Sequence, residues 1–434
     1  MNLFRNLFIT LSLILAGSQL QAQLIYAGRY KALFTEAPKH VPSSKVPDAP
    51  LAGNGDIGLT LGGSPDQLTF YLGKNDFWRA YPVYPGGGIA SPGGLSIRID
   101  ALKGASYNAE QILDKALIKA KFKKEDLEVS LNTWVSATSN TVVAEFISNK
   151  TCELHFDLWA TKGNTSVTGS GKNGNVYWVS RSFENTPLLQ WPSHIAMAMK
   201  VLGSVPSKEN TIILLPGKKV TVTLTLNTNF DRTDWKEGTI KQAKLLTSAS
   251  IESMHQQHEK WWTTFWGKSN VQISDTLLEK YYYASQYLFA CSSKEGKFAP
   301  GIWGPFVTKD SSSWGGDYHL NYNYQAPYWA SFSSNHIDQT KNFDKPVLDF
   351  MGEGKKFAKD LLGINGIYYP VGIGPGGLAT TRWPLTPDAM EKRYGTRENT
   401  IDGGYKFLGQ KINAVFSAGN MFMRFYSTYD PDYA

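Results

Sequence analysis

Cysteine is nearly absent: the 434 residues hold two, Cys152 and Cys291. One falls in a strand-like pattern and the other in a helix-like one, so no disulfide scaffold is available and two buried thiols are expected. Long apolar runs are missing as well. The stretch from Leu7 to Ala16 is too short to cross a bilayer, which takes roughly 20 apolar residues, and no later segment does better. Stable membrane insertion is therefore not expected. Charge of one sign is not concentrated either, since 44 basic residues stand against 37 acidic ones and are scattered. The one dense patch, Lys115, Lys119, Lys121, Lys123 and Lys124, alternates like a solvated strand face, which leaves no basis for nucleic-acid binding. Metal spacing is equally thin: His255 and His258 stand three apart with no third ligand nearby. Neither a metal nor an organic cofactor is expected.

What is present begins with an export pattern. Arg5, the apolar core Leu7 to Ala16 and Leu20-Gln21-Ala22 before Gln23 read as a signal peptide over residues 1–22, which predicts a periplasmic or secreted protein. No cysteine follows the apolar core, so a lipid-anchored start is not supported.

The remaining chain of about 410 residues exceeds one domain on length. Residues 23–246 are rich in short strand-like runs, among them Leu68 to Leu72, Leu127 to Val135, Thr141 to Ser148 and Lys219 to Leu226. Alternating apolar and polar residues with Gly-rich turns predict a large antiparallel sandwich. The period changes at Ser248 to Trp266, where Ile251, Met254, His258, Trp261, Trp262, Phe265 and Trp266 recur at steps of three and four. A linker helix is expected within 247–273. From 274 to 434 the pattern is helical, with helices expected at Asp275 to Ser293, His336 to Lys359 (interrupted near Pro346) and Gln410 to Tyr426. Between them, Gly363 to Pro387 is a Gly/Pro-rich loop holding Tyr368, Tyr369, Arg382 and Trp383, a candidate cleft rim.

One stretch stands apart, running from Trp314 to Trp329 as Trp-Gly-Gly-Asp-Tyr-His-Leu-Asn-Tyr-Asn-Tyr-Gln-Ala-Pro-Tyr-Trp. Polar groups that each make two or more directed hydrogen bonds, set among flat aromatic faces, suit a ligand with hydroxyls on its rim and C–H groups on its faces, as a sugar ring has. On a helix, Asp317, Asn321 and Gln325 would share one face at steps of four, with Asn323 about 200° round from Asn321. Asn321 and Asn323 are therefore placed at a helix entrance. An aromatic packing seam with satisfied polar groups is the competing reading.

The segment Asn321-x-Asn323-x-Gln325-x-x-Tyr328-Trp329, preceded by Trp314-Gly315-Gly316, resembles inverting α-L-fucosidases of glycoside hydrolase family 95 and related six-hairpin glycosidases. Gly53-Asn54-Gly55-Asp56, followed by Leu68 to Trp78, is similar to the start of their N-terminal sandwich, where a structural turn is the favoured role for Asn54 and Asp76. The pattern His258-x-x-Trp261-Trp262-x-x-Phe265-Trp266 is similar to their joining helix. The resemblance implies an N-terminal antiparallel super-β-sandwich followed by an incomplete (α/α)6 barrel, an N-terminal fragment of a longer protein. It implies that Asn321 and Asn323 hold and polarise the attacking water. It also implies that a glutamate acid and an aspartate base, which inversion requires roughly 6.5 to 9.5 Å apart, lie beyond residue 434, so the chain alone is expected to be inactive.

Asp317 is read as a hydrogen-bonding partner, with a base role as the alternative. Trp303, Trp314, His319, Tyr322, Gln325, Trp329, Arg382 and Trp383 are the candidate substrate contacts, His319 as a donor to substrate hydroxyls or to a neighbouring carbonyl. The expected partner is an oligosaccharide or polysaccharide with an α-linked sugar, of the α-L-fucoside or α-galactoside type. A non-catalytic carbohydrate-binding or scaffold protein on the same fold is the alternative, and a phosphorylase a more distant one.

Overall fold

Alternation along short strands builds two antiparallel sheets in the computed structural model, which describes residues 26–82, 87–184, 188–205, 207–381, 392 and 410–434. The expected signal peptide, Arg382 and Trp383 lie outside the described residues. The larger sheet has nine strands. Edge to edge they are Lys31–Phe34, Ser106–Ile112, Leu117–Lys124, Leu127–Val135, Thr141–Ser148, Val220–Thr228, Ser193–Leu202, Val176–Phe183 and Val167–Asn173. The smaller sheet has six, in the order Thr211–Leu214, Cys152–Ala160, Gly93–Arg98, Gln67–Lys74, Ile57–Ser64 and Leu51–Gly53. Leu59, Phe70 and Ile97 from the smaller sheet share one core with Phe122, Leu131, Phe146 and Leu224 from the larger, which makes the pair a sandwich. The alternation sets the register: on Leu117–Lys124, Lys119, Lys121 and Lys123 face solvent while Ile118, Ala120 and Phe122 are buried. Both cysteines are buried and unpaired.

Strand Val220–Thr228 is buried along its whole length because a helix, Trp235–Leu245, packs on the outer face of the larger sheet beside it. That helix lies inside the stretch read as strand-rich, where no helix was expected. Gly238 and its charged residues break the apolar periodicity that would have announced it.

The helical half starts with Ser248–Trp266. Its N-terminus is closed by a reciprocal pair, Ser250 N–H to Thr247 Oγ1 at 3.1 Å and Thr247 N–H to Ser250 Oγ at 2.8 Å. The next helix, Thr276–Ser292, is capped by Asp275 and buries Tyr283, Tyr287 and Cys291 against Trp262, Phe265 and Trp266. Glycine lets the two halves approach. An ideal Cβ on Gly73 would stand 1.9 Å from Pro305 O, and one on Gly53 2.4 Å from Cys291 O, so a loop and the last turn of a helix from the helical half rest directly on strands of the sandwich. The helix expected from His336 to Lys359 is broken into a 3-10 turn, Ile337–Thr340, and the helices Asp344–Asp349 and Met351–Leu362. Pro346 sits in the first turn of Asp344–Asp349, where its missing N–H is harmless, so a helix restarts there instead of running through. The last described helix is Asn413–Thr428.

Candidate functional site

The Trp314–Trp329 stretch is not one helix. Ser313–Gly316 forms a tight turn, Tyr318–His319 pairs with Gly372–Ile373 as a two-residue ladder, residues 320–325 turn, and only then does Ala326–Ser333 become helical. The one-face placement of Asp317, Asn321 and Gln325 is therefore corrected. The Gly-Gly turn, the ladder and Pro327 in the helix's first turn together keep the preceding residues out of helical geometry. Asn321 and Asn323 sit in the turn, at the helix entrance, half-buried. Neither side-chain amide makes a hydrogen bond among the described residues, so both remain available to a ligand or a water.

Asn323 lines a cavity of about 390 Å³ together with Trp303, Tyr324, Tyr328, Phe289 and Gln286. The cavity opens between the wall helix Thr276–Ser292, the loop 300–306 and the entrance of Ala326–Ser333. Trp303 is fixed by its indole N–H, which donates to Ser313 O at 2.8 Å. Flat aromatic walls with a few amides fit a sugar ring.

Asp317 and His319 lie behind the turn. His319 Nδ1 is 2.9 Å from Asp317 Oδ1, and Thr380 donates to Asp317 Oδ2 at 2.7 Å. Burial pushes the Asp317 carboxyl up, opposed by the hydrogen bonds from His319 and Thr380. With both oxygens taken and 1% exposure, Asp317 is a hydrogen-bonding partner, and the alternative base role has no geometric footing. Trp314 stacks on His319 at 4.8 Å between ring centroids and is itself half exposed.

Gln325 was a candidate substrate contact; the structure buries it completely. Its Nε2 donates to Leu320 O at 2.6 Å and to Ser417 Oγ at 3.0 Å, so it ties the turn to the last helix. Trp329 is half-buried and donates to Asn420 Oδ1 at 2.9 Å. Tyr322 is exposed and packs edge-on against Trp329. Tyr368 and Tyr369, expected at a cleft rim, belong to the apolar core of the helical half. Thr380, Ser417 and Asn420 were missed. For the last two a signal existed: Asn413, Ser417 and Asn420, spaced four and three apart, form a polar stripe along the helix, and all are buried.

The sandwich holds the loop that leads into the site. Arg181, fully buried on its strand, donates to Asp310 Oδ1 at 2.8 Å and to Ser91 O at 2.6 Å, while Ser313 N–H donates to Ser44 O at 2.7 Å. Asn54 is structural, donating to Ser136 O and Ser139 O and accepting from the backbone of Asp56 and Ile57. Asp56, Asp76 and Asp231 are the one group with metal-ligand spacing among the described residues. The Lys74 ammonium already fills that place, 2.7, 2.8 and 3.0 Å from the three carboxylates. His258, weighed as a ligand, has Nε2 2.9 Å from Lys115 O and Nδ1 3.3 Å from Ala137 N, so neither nitrogen is free for a metal.

Residues 232–378, which span the linker helix, the wall helix and the turn with its two asparagines, match the glycosyl hydrolase family 95 catalytic domain. Over that third of its length the chain is similar to family 95. A curated relative, "Probable alpha-fucosidase A" of Aspergillus niger, is 22% identical over 409 residues, 74% of this chain and 50% of that protein. The chain thus spans about half the length of the curated relative it matches. Among solved structures, "Putative kojibiose phosphorylase from human microbiome" superposes with a TM-score of 0.63 at 10% identity, over 93% of this chain and 57% of that one. That likeness concerns the fold alone, a sandwich followed by a helical barrel domain. A bacterial glucoamylase complexed with acarbose aligns at 8% identity with a TM-score of 0.46, over 93% of this chain and 68% of that one.

Proposed function

We propose that this chain supplies the sandwich and the water-holding part of the site of an exported glycoside hydrolase that cleaves an α-linked sugar, of the α-L-fucoside or α-galactoside type, with inversion. Asn321 and Asn323 orient the nucleophilic water, and Trp303, Trp314, His319 and Tyr322 contact the sugar. An amide orients water but cannot take its proton at neutral pH, so the reaction also needs a carboxylate base and a carboxylic acid on opposite sides of the bond. The resemblance assigns both to later barrel helices. Export rests on Arg5 and the Leu7 to Ala16 run.

One observation carries the reading. Two asparagine amides two residues apart, without a hydrogen bond among the described residues and one of them on the wall of an aromatic cavity, lie within the segment that matches family 95. In the full-length protein, Asn321→Ala with Asn323→Ala should lower turnover of a nitrophenyl α-L-fucoside or α-galactoside at least about 10²-fold. Sugar affinity by calorimetry should change far less. Undiminished hydrolysis by the double variant would remove the water-holding role. Sugar binding with no hydrolysis in the unsubstituted protein would favour a non-catalytic carbohydrate-binding role.

A further inference from the structure

Three features meet at His319. Its Nδ1 faces Asp317, a carboxylate whose second oxygen is held by the Thr380 hydroxyl, 63 residues further along the chain. Its ring is pressed against Trp314, with planes 16° apart. Trp314 adopts φ 56°, ψ 28°, a left-handed conformation that is strained for a bulky residue and persists where surroundings enforce it. His319 itself is 7% exposed, and its Nε2 makes no hydrogen bond among the described residues and is not one of the fully enclosed polar atoms, which leaves that nitrogen without a protein partner there. The Tyr318–His319 ladder to Gly372–Ile373 brings Thr380 within reach. An ideal Cβ on Gly372 would lie 2.1 Å from Asp317 Oδ2, so that glycine leaves room for the carboxylate.

A carboxylate only accepts hydrogen bonds. Beside it, a neutral imidazole carries its proton on Nδ1 and leaves a lone pair on Nε2. The ring is then an acceptor toward whatever meets Nε2, the opposite of the donor role expected from sequence. We propose that Asp317, braced by Thr380, is a positioning residue that fixes His319 as a hydrogen-bond acceptor, through Nε2, for a sugar hydroxyl. This rests on the glycosidase reading above. The pattern Asp317-x-His319-x-Asn321-x-Asn323 then sets one acceptor at the end of the ladder and two amides in the turn that follows it.

The test is nitrogen NMR on the full chain labelled with ¹⁵N-histidine, with the His319 signals assigned by their loss in His319→Gln. Expected in the unsubstituted protein at neutral pH are a protonated Nδ1 and an unprotonated Nε2, with the Nε2 signal moving on titration with methyl α-L-fucoside or methyl α-galactoside. In Asp317→Ala, checked for folding by its thermal melt, the Nδ1–H form should lose its dominance and sugar affinity should fall about tenfold. A protonated Nε2 in the unsubstituted protein overturns the proposal whatever the variant does. Sugar that binds, as other histidine signals report, without moving Nε2 overturns the acceptor role. If neither sugar moves any signal and calorimetry detects no binding, the glycosidase reading falls and takes the acceptor role with it, even with Nδ1 protonated.

Discussion

His258 is neutral in the folded protein for reasons visible around one side chain. Burial pushes its pKa down to about 4, against a hydrogen bond to Lys115 O, and Nδ1 accepts from Ala137 N–H. Between pH 4 and about 6.5 the unfolded chain binds a proton here that the folded chain refuses, so stability rises with pH across that window and is lost as pH falls through it. The loss is on the order of 3 kcal/mol for a shift of this size. Urea midpoints measured from pH 7 to 4 should fall, and His258→Gln should flatten that dependence by about one proton. An unchanged slope in the variant would mean that His258 is charged in the fold. His336, pushed down to about 4 by burial and by Lys268, should keep part of the slope in place. At this scale the residue types were legible, but their duties were not. Gln325 and Asn321 are both amides in one motif; only the last helix arriving over Gln325 makes one structural and leaves the other open.

Elements were legible where one periodicity dominates. Strands Leu127–Val135 and Thr141–Ser148 and the helix Ser248–Trp266 all lie where the apolar pattern predicts them, because in each one period of apolar residues dominates. The pattern failed where packing came from several sides, as in the turn before Ala326–Ser333 and the helix on the back of the larger sheet. Glycine marks the contact between elements. Gly73→Ala would place a methyl against Pro305 O and should cost about 1–3 kcal/mol in urea unfolding, with faster proteolysis of the loop around Pro305. Gly352→Ala, whose Cβ would meet nothing within 4 Å, should be neutral or slightly stabilising. Equal effects of the two substitutions would mean that the strand does not sit against that loop.

Across the molecule, one buried ion cluster joins strand, connector and helical loop. Lys74 comes from a sandwich strand, Asp231 from the segment leading to the helices, and Lys297 from the loop after the wall helix, 2.7 Å from Asp231 Oδ1 and 3.2 Å from Asp56 Oδ2. Burial works against the Lys74 charge, but Asp56, Asp76 and Asp231 outweigh it and hold the ammonium protonated. Burial likewise disfavours the Asp231 anion, and Lys74 and Lys297 overcome it, so that carboxyl stays below its usual range. Removing the Lys74 cation leaves buried Asp76 without a positive partner and Asp56 and Asp231 with Lys297 alone. Lys74→Met should therefore cost about 3–5 kcal/mol, with tryptophan fluorescence and far-UV circular dichroism shifting together. A loss under about 1 kcal/mol would show that water reaches the cluster.

The order of the molecule, strands and then helices, was set by the sequence alone, because alternation at period two and recurrence at three and four are local properties of the chain. So was the presence of a polar and aromatic motif at Trp314–Trp329. Which of its polar groups remain available was decided only in three dimensions. Thr380 and Ser417 reach Asp317 and Gln325 from 63 and 92 residues away, and a hydrogen bond spanning such a separation leaves no periodic trace along the chain.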